Sequence, residues 1–254
     1  MKNLVIVGAT SCIAHNCARL WLDDQFDKIF LLGRNQHKLD VIKKDLEVRL
    51  EGLGFKTQVI LILVNDFCDP LKIEESVNKV CEVSPHTVLI AQGTSNHSNQ
   101  ELVSDLAKLK YSIEINAISP IIFLEKILNI MLKSNEQGRI GVIGSVAGDR
   151  GRLSNYVYGS SKGCIERYVQ GIHHRLGYCH SNVSVTLIKP GPTATPMTLN
   201  YPNQSRLADV QSVSKSIVNA IKKKKNIVYV PFKWRFVMAL IRILPNYVFC
   251  RFNI

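Results

Sequence analysis

Short, almost unbroken apolar runs alternate along the chain with longer stretches in which apolar positions recur at helical spacing. The runs are Leu4–Val7, Ile29–Leu32, Gln58–Val64, Thr87–Ala91, Ile140–Ile143, Val183–Ile188 and Ile227–Val230. They are rich in β-branched residues and apolar at successive positions, which predicts strands covered on both faces. The helical stretches lie near residues 11–23, 36–51, 71–83, 100–133, 156–177 and 205–224. This alternation predicts a doubly wound α/β domain, with a seven-stranded parallel sheet, right-handed crossovers and helices on both faces. No internal repeat, low-complexity tract or Gly/Ser linker interrupts it. The domain is expected to span residues 1–230, leaving an extension over 231–254. In such sheets ligands bind beyond the carboxyl ends of the strands, where strand order reverses. The residues just after each run therefore carry the candidate chemistry.

The first run passes through Gly8-Ala9-Thr10-Ser11-Cys12-Ile13-Ala14 into a helical stretch. A helix N-terminus offers unpaired N–H groups and a positive dipole end, a setting that suits a phosphate. Only Gly8 survives of the three glycines in a dinucleotide fingerprint; Ala14 is an allowed third position and Cys12 stands at the second. After the second run comes Gly33-Arg34, with no acid beside it. An arginine there suits a ribose 2′-phosphate, whereas an acid would hold a free 2′-hydroxyl. Asp66, followed by Phe67, is placed to accept from an adenine amino group, and Gly93 leaves room for a ribose or nicotinamide. The predicted cofactor is NADP(H) in preference to NAD(H), held at this end by Gly8, Thr10, Ser11, Ile13, Arg34, Asp66, Phe67 and Gly93.

Tyr158-Gly159-Ser160-Ser161-Lys162 falls at the start of the 156–177 stretch. Residues four apart share a helix face. The Lys162 ammonium is thus expected beside the Tyr158 phenol, lowering its pKa toward working pH. That suits Tyr158 to pass a proton to a developing alkoxide. The pattern alone recurs by chance in many helices. Ser145 raises its weight, standing thirteen residues upstream at the end of the fifth run, where its hydroxyl would hold a substrate oxygen. Asn116, on the preceding helical stretch, would complete a proton path through water. Pro190-Gly191-Pro192-Thr193-Ala194-Thr195 makes a rigid turn beyond the sixth run, over the nicotinamide end.

In order and spacing, these motifs resemble the short-chain dehydrogenase/reductase family over about residues 3–230. The resemblance implies a single Rossmann-like domain and an NAD(P)-dependent oxidoreductase. It makes Tyr158 the acid/base, Ser145 the anchor of the substrate oxygen and Asn116 the anchor of a relay water. Lys162 would hold the nicotinamide ribose and tune Tyr158. Pro190, Gly191, Thr193 and Thr195 would flank the nicotinamide, with Thr195 at the carboxamide and Ile188 beside the ring. Within the family, GATSCIA, AQGTSN, GSVAGDRGRLSNYVYGSSKG and VPFKWRFVMALIRILP resemble the reductase component of decaprenylphosphoryl-ribose 2′-epimerisation. That likeness implies a lipid-linked 2-keto sugar as substrate. The chain departs from the family at Cys12 and Ala14, at Ile90-Ala91-Gln92-Gly93 and at Ser119.

Composition adds three points. A chain of 254 residues buries roughly three-quarters of its unfolded surface and needs neither disulfide nor metal. Its cysteines (Cys12, Cys17, Cys68, Cys81, Cys164, Cys179, Cys250) form no CxxC pair or zinc spacing and read as reduced, mostly buried thiols of a cytoplasmic protein. The N-terminal apolar run meets Gly8 too early for a signal peptide. The formal charge of +12 points to anionic partners. Part of it is the run Lys222–Lys225, and part punctuates the apolar tail as Lys233, Arg235, Arg242 and Arg251. No uncharged stretch of the tail approaches the roughly 20 residues of a membrane span. A helix lying in the membrane interface fits, as does a tail docked on the domain. No nucleic-acid module accompanies the charge. His173-His174 reads as surface or subunit contact, His97 as solvated loop and Trp21 as core. The long apolar stretches 100–133 and 156–177 suggest a homo-oligomer. A soluble carbonyl reductase for fatty-acyl, steroid or polyol substrates is the alternative, and a non-catalytic dinucleotide sensor is a remoter one.

Overall fold

The computed structural model describes residues 2–80, 84–95, 98–134, 137–199 and 203–251; Cys81, His97 and Phe252 fall outside the described residues. Seven strands form one sheet: β1 (Asn3–Val7), β2 (Lys28–Gly33), β3 (Gln58–Leu63), β4 (Thr87–Ile90), β5 (Gly138–Ile143), β6 (Val183–Pro190) and β7 (Ile227–Val230). Their order is β3-β2-β1-β4-β5-β6-β7, and every pairing is parallel. The chain is a Rossmann-like α/β fold, with strand order reversing between β1 and β4. Every residue of those two strands is buried, which is why they carry unbroken apolar runs and not an alternating pattern.

The helices are α1 (Cys12–Trp21), α2 (Gln36–Gly52), α3 (Pro70–Val80), α4 (Asn99–Ser104), α5 (Leu106–Ile113), α6 (Ser119–Ser134), α7 (Tyr156–Tyr178), α8 (Val210–Lys222), α9 (Lys233–Ile243) and α10 (Asn246–Phe249). One face of the sheet packs against α1, α2 and α8 through residues such as Trp21, Leu39, Leu46 and Ile217. The other packs against α3, α6 and α7 through Ile73, Phe123, Leu128 and Val169.

One expectation fails. The predicted helix 100–133 is broken at Asp105, which ends α4 and caps α5 by accepting from Ala107 and Lys108 N–H. It is then reshaped by a π-helical turn at Glu114–Ile118. By length and composition the run Leu106–Ser134 could cross a membrane, yet Ile115, Phe123, Leu124, Ile127, Leu128 and Met131 lie in the core. The cysteines differ as well. Only Cys17 of the described ones is buried, while Cys164, Cys179 and Cys250 are exposed.

Candidate active site

β5 delivers Ser145 to the carboxyl end of the sheet, where it opens a 3₁₀ turn at Val146–Gly148 and its Oγ accepts from Ala147 N–H at 3.1 Å. Helix α7 packs on that turn so closely that a Cβ on Gly159 would meet the Ala147 carbonyl oxygen at 2.8 Å. This contact brings Tyr158 and Ser145 together, near enough for the serine side chain to act on the phenol. Lys162, one turn on, is 3% exposed. Its Nζ donates to Ile143 O at 3.2 Å and stands 5.7 Å from the centroid of the Tyr158 ring.

The expected tuning of Tyr158 differs here. Burial pushes the Tyr158 hydroxyl above its usual pKa, against the opposing hydrogen bond from Ser145. Burial also pulls Lys162 down to about 8. The ammonium faces a backbone carbonyl and not the phenol oxygen, so desolvation outweighs charge at Tyr158. Beside Tyr158 lies a cavity of ≈ 70 Å³ lined by Thr94, Ser95, Asn99, Leu102, Ser112, Ser154 and Asn155.

Asn116 is fully buried in the π-helical turn. Its Nδ2 donates to Thr94 O (2.8 Å) and Ser112 O (2.9 Å), and its Oδ1 accepts from Thr94 N–H at 2.9 Å. The side chain thus clamps the segment after β4, with Gly93 so near that a Cβ there would lie 2.8 Å from Oδ1. Both hydrogens of its amide nitrogen are thus taken by backbone carbonyls.

At the other end, Gly8 has φ +77° and packs on the end of β4, where a Cβ would meet Gln92 N at 2.5 Å. Only glycine meets both demands. Ser11 is the N-cap of α1 but makes no side-chain cap bond, and the first turn of α1 holds no acid. Thr10 is exposed and Ile13 half-buried beside them, so this helix end fits a pyrophosphate. Cys12 turns its thiol along the helix toward Asn16, and buried Ala14 takes the third glycine's place against the sheet. The Arg34 guanidinium donates to Tyr111 Oη at 2.5 Å. Asp66 Oδ1 accepts from Cys68 N–H within its own loop, at 2.7 Å.

Three expected contacts do not fit. Phe67 is 3% exposed and packs at a tilt on Phe123 in the core, so its side chain is turned away from the surface. Ile188 is fully buried among the α8-side core residues and cannot reach a nicotinamide ring. The Thr193 hydroxyl donates to Gly191 O at 2.9 Å, so it shapes the turn. Thr195, half-buried, caps the short turn Pro196–Thr198. Pro190 and Gly191 end β6 beside these residues.

The short chain dehydrogenase family matches residues 2–206. This chain belongs to that family. It is an NAD(P)-dependent oxidoreductase of the short-chain dehydrogenase/reductase type. An uncharacterized oxidoreductase of Staphylococcus epidermidis is 24% identical over 229 residues, covering 89% of this chain and 93% of that protein. Dehydrogenase/reductase SDR family member 7B of Bos taurus is 23% identical over 198 residues, covering 78% of this chain and 59% of that protein. Among solved structures, a short-chain dehydrogenase/reductase from Burkholderia phymatum in complex with NAD superposes with TM-score 0.82 at 17% identity, over 94% of this chain and 92% of that one. One from Burkholderia cenocepacia in complex with NADP superposes with TM-score 0.72 at 15% identity, over 96% and 98%.

Sequence reasoning missed how this short-chain dehydrogenase fastens its two catalytic turns. Asp149, just past the Ser145 turn, pairs with Lys189, the residue before Pro190, and Lys189 also reaches Glu166 at 2.7 Å. Arg150 then holds the C-terminal segment. Its guanidinium donates to Ile241 O (2.5 Å), Leu244 O (2.6 Å) and Asn246 Oδ1 (2.8 Å) and lies 3.9 Å over the Phe249 ring. Met238 and Ile241 bury themselves against Val146, and Trp234 fills the notch left by Gly191. The segment after β7 is therefore docked on the domain by one face. His173 donates to Val185 O at 2.9 Å, and no metal-ligand cluster occurs among the described residues.

Proposed function

We propose that this chain reduces a ketone to an alcohol with NADPH, and that its substrate is a 2-keto sugar carried on a polyprenyl phosphate at the cytoplasmic face of a membrane. The observation that carries the chemistry is the meeting of Tyr158, Ser145 and Lys162 beside a polar cavity. In this reading Ser145 holds the carbonyl oxygen and Tyr158 gives it a proton as charge develops there. Lys162 holds the nicotinamide ribose, and Asn116 fixes the loop beneath it. Bound NADPH supplies the hydride. Gly8, Thr10, Ser11 and Ile13 take the pyrophosphate end, Asp66 with the Phe67 backbone the adenine, and Gly93, Pro190, Gly191 and Thr195 the nicotinamide end, on the turn that Thr193 shapes.

NADPH is preferred in this reading because Arg34 meets the 2′-phosphate. Arg34→Leu is expected to weaken NADPH binding by about ten- to a hundred-fold, the roughly 1.5–3 kcal/mol of a charge-assisted bond. NADH binding should stay within a few-fold. A companion Gly33→Asp is unwelcome, since its Cβ would sit 2.9 Å from buried Leu39. Cofactor titrations in which the wild type binds NADH more tightly would refute the preference.

The outer face of α9 supports the lipid-linked substrate. Phe232, Phe236, Leu240 and Ile243 recur at helical spacing and continue into Tyr247 of α10, all exposed. Lys233, Arg235 and Arg242 stand among them. Such a helix lies in a membrane interface with its cations at the phosphates. Its inner face backs the Ser145 and Gly191 turns, so the lipid chain would stay in the bilayer while the sugar reaches Tyr158. The test is NADPH oxidation with a polyprenyl-phosphoryl keto-pentose beside simple ketones, with co-sedimentation on anionic vesicles. We expect the lipid-linked ketone to lead, and Phe236→Ser with Leu240→Ser to lower vesicle binding at least about tenfold. Equal kcat/KM for simple ketones and no vesicle binding would leave the soluble carbonyl reductase, which the docked inner face of α9 favours. A homo-oligomer belongs to the same reading, supported by the exposed Leu106, Ile113 and Ile118.

A further inference from the structure

Gly191 is held from three sides. Its N–H donates to Val230 O, at the end of β7, over 2.8 Å, and its carbonyl accepts from the Thr193 hydroxyl at 2.9 Å. On the third side stands Trp234, the second residue of α9, so close that a Cβ on Gly191 would collide with the five-membered ring of the indole. Such an approach needs a residue without a side chain. The same half-buried indole packs against the buried cluster of Val146, Met238 and Ile241. Val146 follows Ser145 and begins the 3₁₀ turn that Ser145 caps.

Trp234 therefore lies between two turns that a hydride transfer must keep in register. The turn after β6 is the one assigned above to the nicotinamide, and the turn after β5 carries the serine assigned to the carbonyl oxygen. A misplacement of about 1 Å between reacting groups can cost on the order of 10²-fold in rate. Beyond the bond from Gly144 N–H to Ile188 O at 2.7 Å, no backbone hydrogen bond among the described residues joins the two turns. Side chains join them instead: the buried Lys189–Asp149 pair and, from outside both strands, Trp234. A rigid aromatic plane with two side-chain torsions holds such a spacing better than a flexible chain of similar size.

We infer that Trp234 is a positioning residue for hydride transfer, which fixes the nicotinamide turn against the serine turn, so that the segment after β7 completes the active site. The inference rests on the ketone-reductase reading, with the turn after β6 at the nicotinamide, and adds to it a residue from beyond the sheet. It gives the inner face of α9 a part in the reaction that is independent of what its outer face meets. In this role Trp234 acts through Gly191 and Val146. Its removal should slow the transfer and loosen the nicotinamide, and should leave the adenine half of the cofactor as it was.

The experiment compares the wild type with Trp234→Ala, Trp234→Leu and Trp234→Phe in single-turnover stopped flow. Protein loaded with the reduced cofactor it binds more tightly is mixed with whichever of the lipid-linked and simple ketones the wild type reduces fastest. A single-turnover rate constant does not depend on the fraction of protein that is folded. It should fall about ten- to a hundred-fold in Trp234→Ala and Trp234→Leu, and stay within about fivefold in Trp234→Phe, which keeps an aromatic plane. Calorimetric titration with the ADP-ribose fragment of the same cofactor, which lacks the nicotinamide, should give equal affinity for all four proteins. Trp234→Leu keeps apolar bulk and decides the matter if Trp234→Ala does not fold. A rate constant within about twofold of the wild type in the folded non-aromatic variants would overturn the inference. So would an equal loss of affinity for fragment and whole cofactor, the mark of a merely structural tail. If the wild type reduced none of the ketones, the reductase reading alone would fail. The affinity that the nicotinamide adds over the fragment would then decide the role of Trp234, shrinking in the non-aromatic variants if the indole holds the turn and unchanged if it does not.

Discussion

Tyr158→Phe should lower ketone reduction by about 10² to 10⁴ while leaving NADPH affinity nearly unchanged. Phenylalanine keeps the ring that packs beside the cavity and deletes only the hydroxyl next to Ser145. A positioned general acid contributes on the order of 10²–10⁴ in rate. Without it the developing alkoxide must take its proton from water in a crowded site. The sign of the Tyr158 shift sets the direction of the pH dependence. Burial raises its pKa, so the phenol stays protonated through neutral pH and is ready to donate. Reduction should therefore hold steady around neutrality and fall only as the solution becomes strongly alkaline; the reverse reaction, which needs phenolate, should rise over the same range. Stopped-flow NADPH oxidation by both proteins checks this. Full turnover by Tyr158→Phe would remove Tyr158 from the chemistry, whatever the fate of the other assignments.

The parts of this site legible in the sequence are those whose cause is local. Each strand shows as a run because both sheet faces are covered, and the residue after each run falls at the carboxyl end of the sheet by construction. Ser145, Gly8 and Arg34 follow from that rule, and Tyr158 with Lys162 from helical periodicity. What escaped depends on partners far apart in the chain. Nothing near Asn155, the N-cap residue of α7, reveals that Asn99 takes over its capping bond, 58 residues away from Val157. The break at Asp105 was marked by a capping residue, but the unbroken apolar pattern around it argued for one long helix. Phe67 reads as a loop residue and becomes core because Phe123 is waiting for it. The tail showed its apolar and basic character plainly. Its docking did not show, because Arg150 lies 91 residues from Ile241.

The same nonlocality hides the most consequential stabilising group, Lys189. It follows an apolar run and reads as the end of a strand, yet it is 1% exposed. Replacing it with methionine should destabilise the fold by about 3–5 kcal/mol, the usual result of removing one partner from a buried ion pair. Asp149, whose side chain is wholly buried, would keep only the Tyr229 hydroxyl at 2.8 Å, and Glu166 would lose its 2.7 Å contact. The pKa of Lys189 agrees with this account. Burial alone would pull it down, but the hydrogen bonds and charges of Asp149 and Glu166 outweigh burial and raise it. A raised lysine contributes stability that is complete below its unfolded value of about 10.4 and is lost as pH climbs through the folded one. The variant's deficit should accordingly be undiminished from pH 6 to pH 9, and it should persist in added salt, which would screen a surface pair. Because Asp149 follows the Ser145 turn and Lys189 precedes Pro190, activity should fall along with stability. Urea denaturation measures the first effect, and restoring stability with Asp149→Leu and Glu166→Gln in the Lys189→Met background isolates the cause. A loss below about 1 kcal/mol for Lys189→Met, within the range of surface pairs, would mean that these charges are solvated in solution and that the two catalytic turns are held by packing alone.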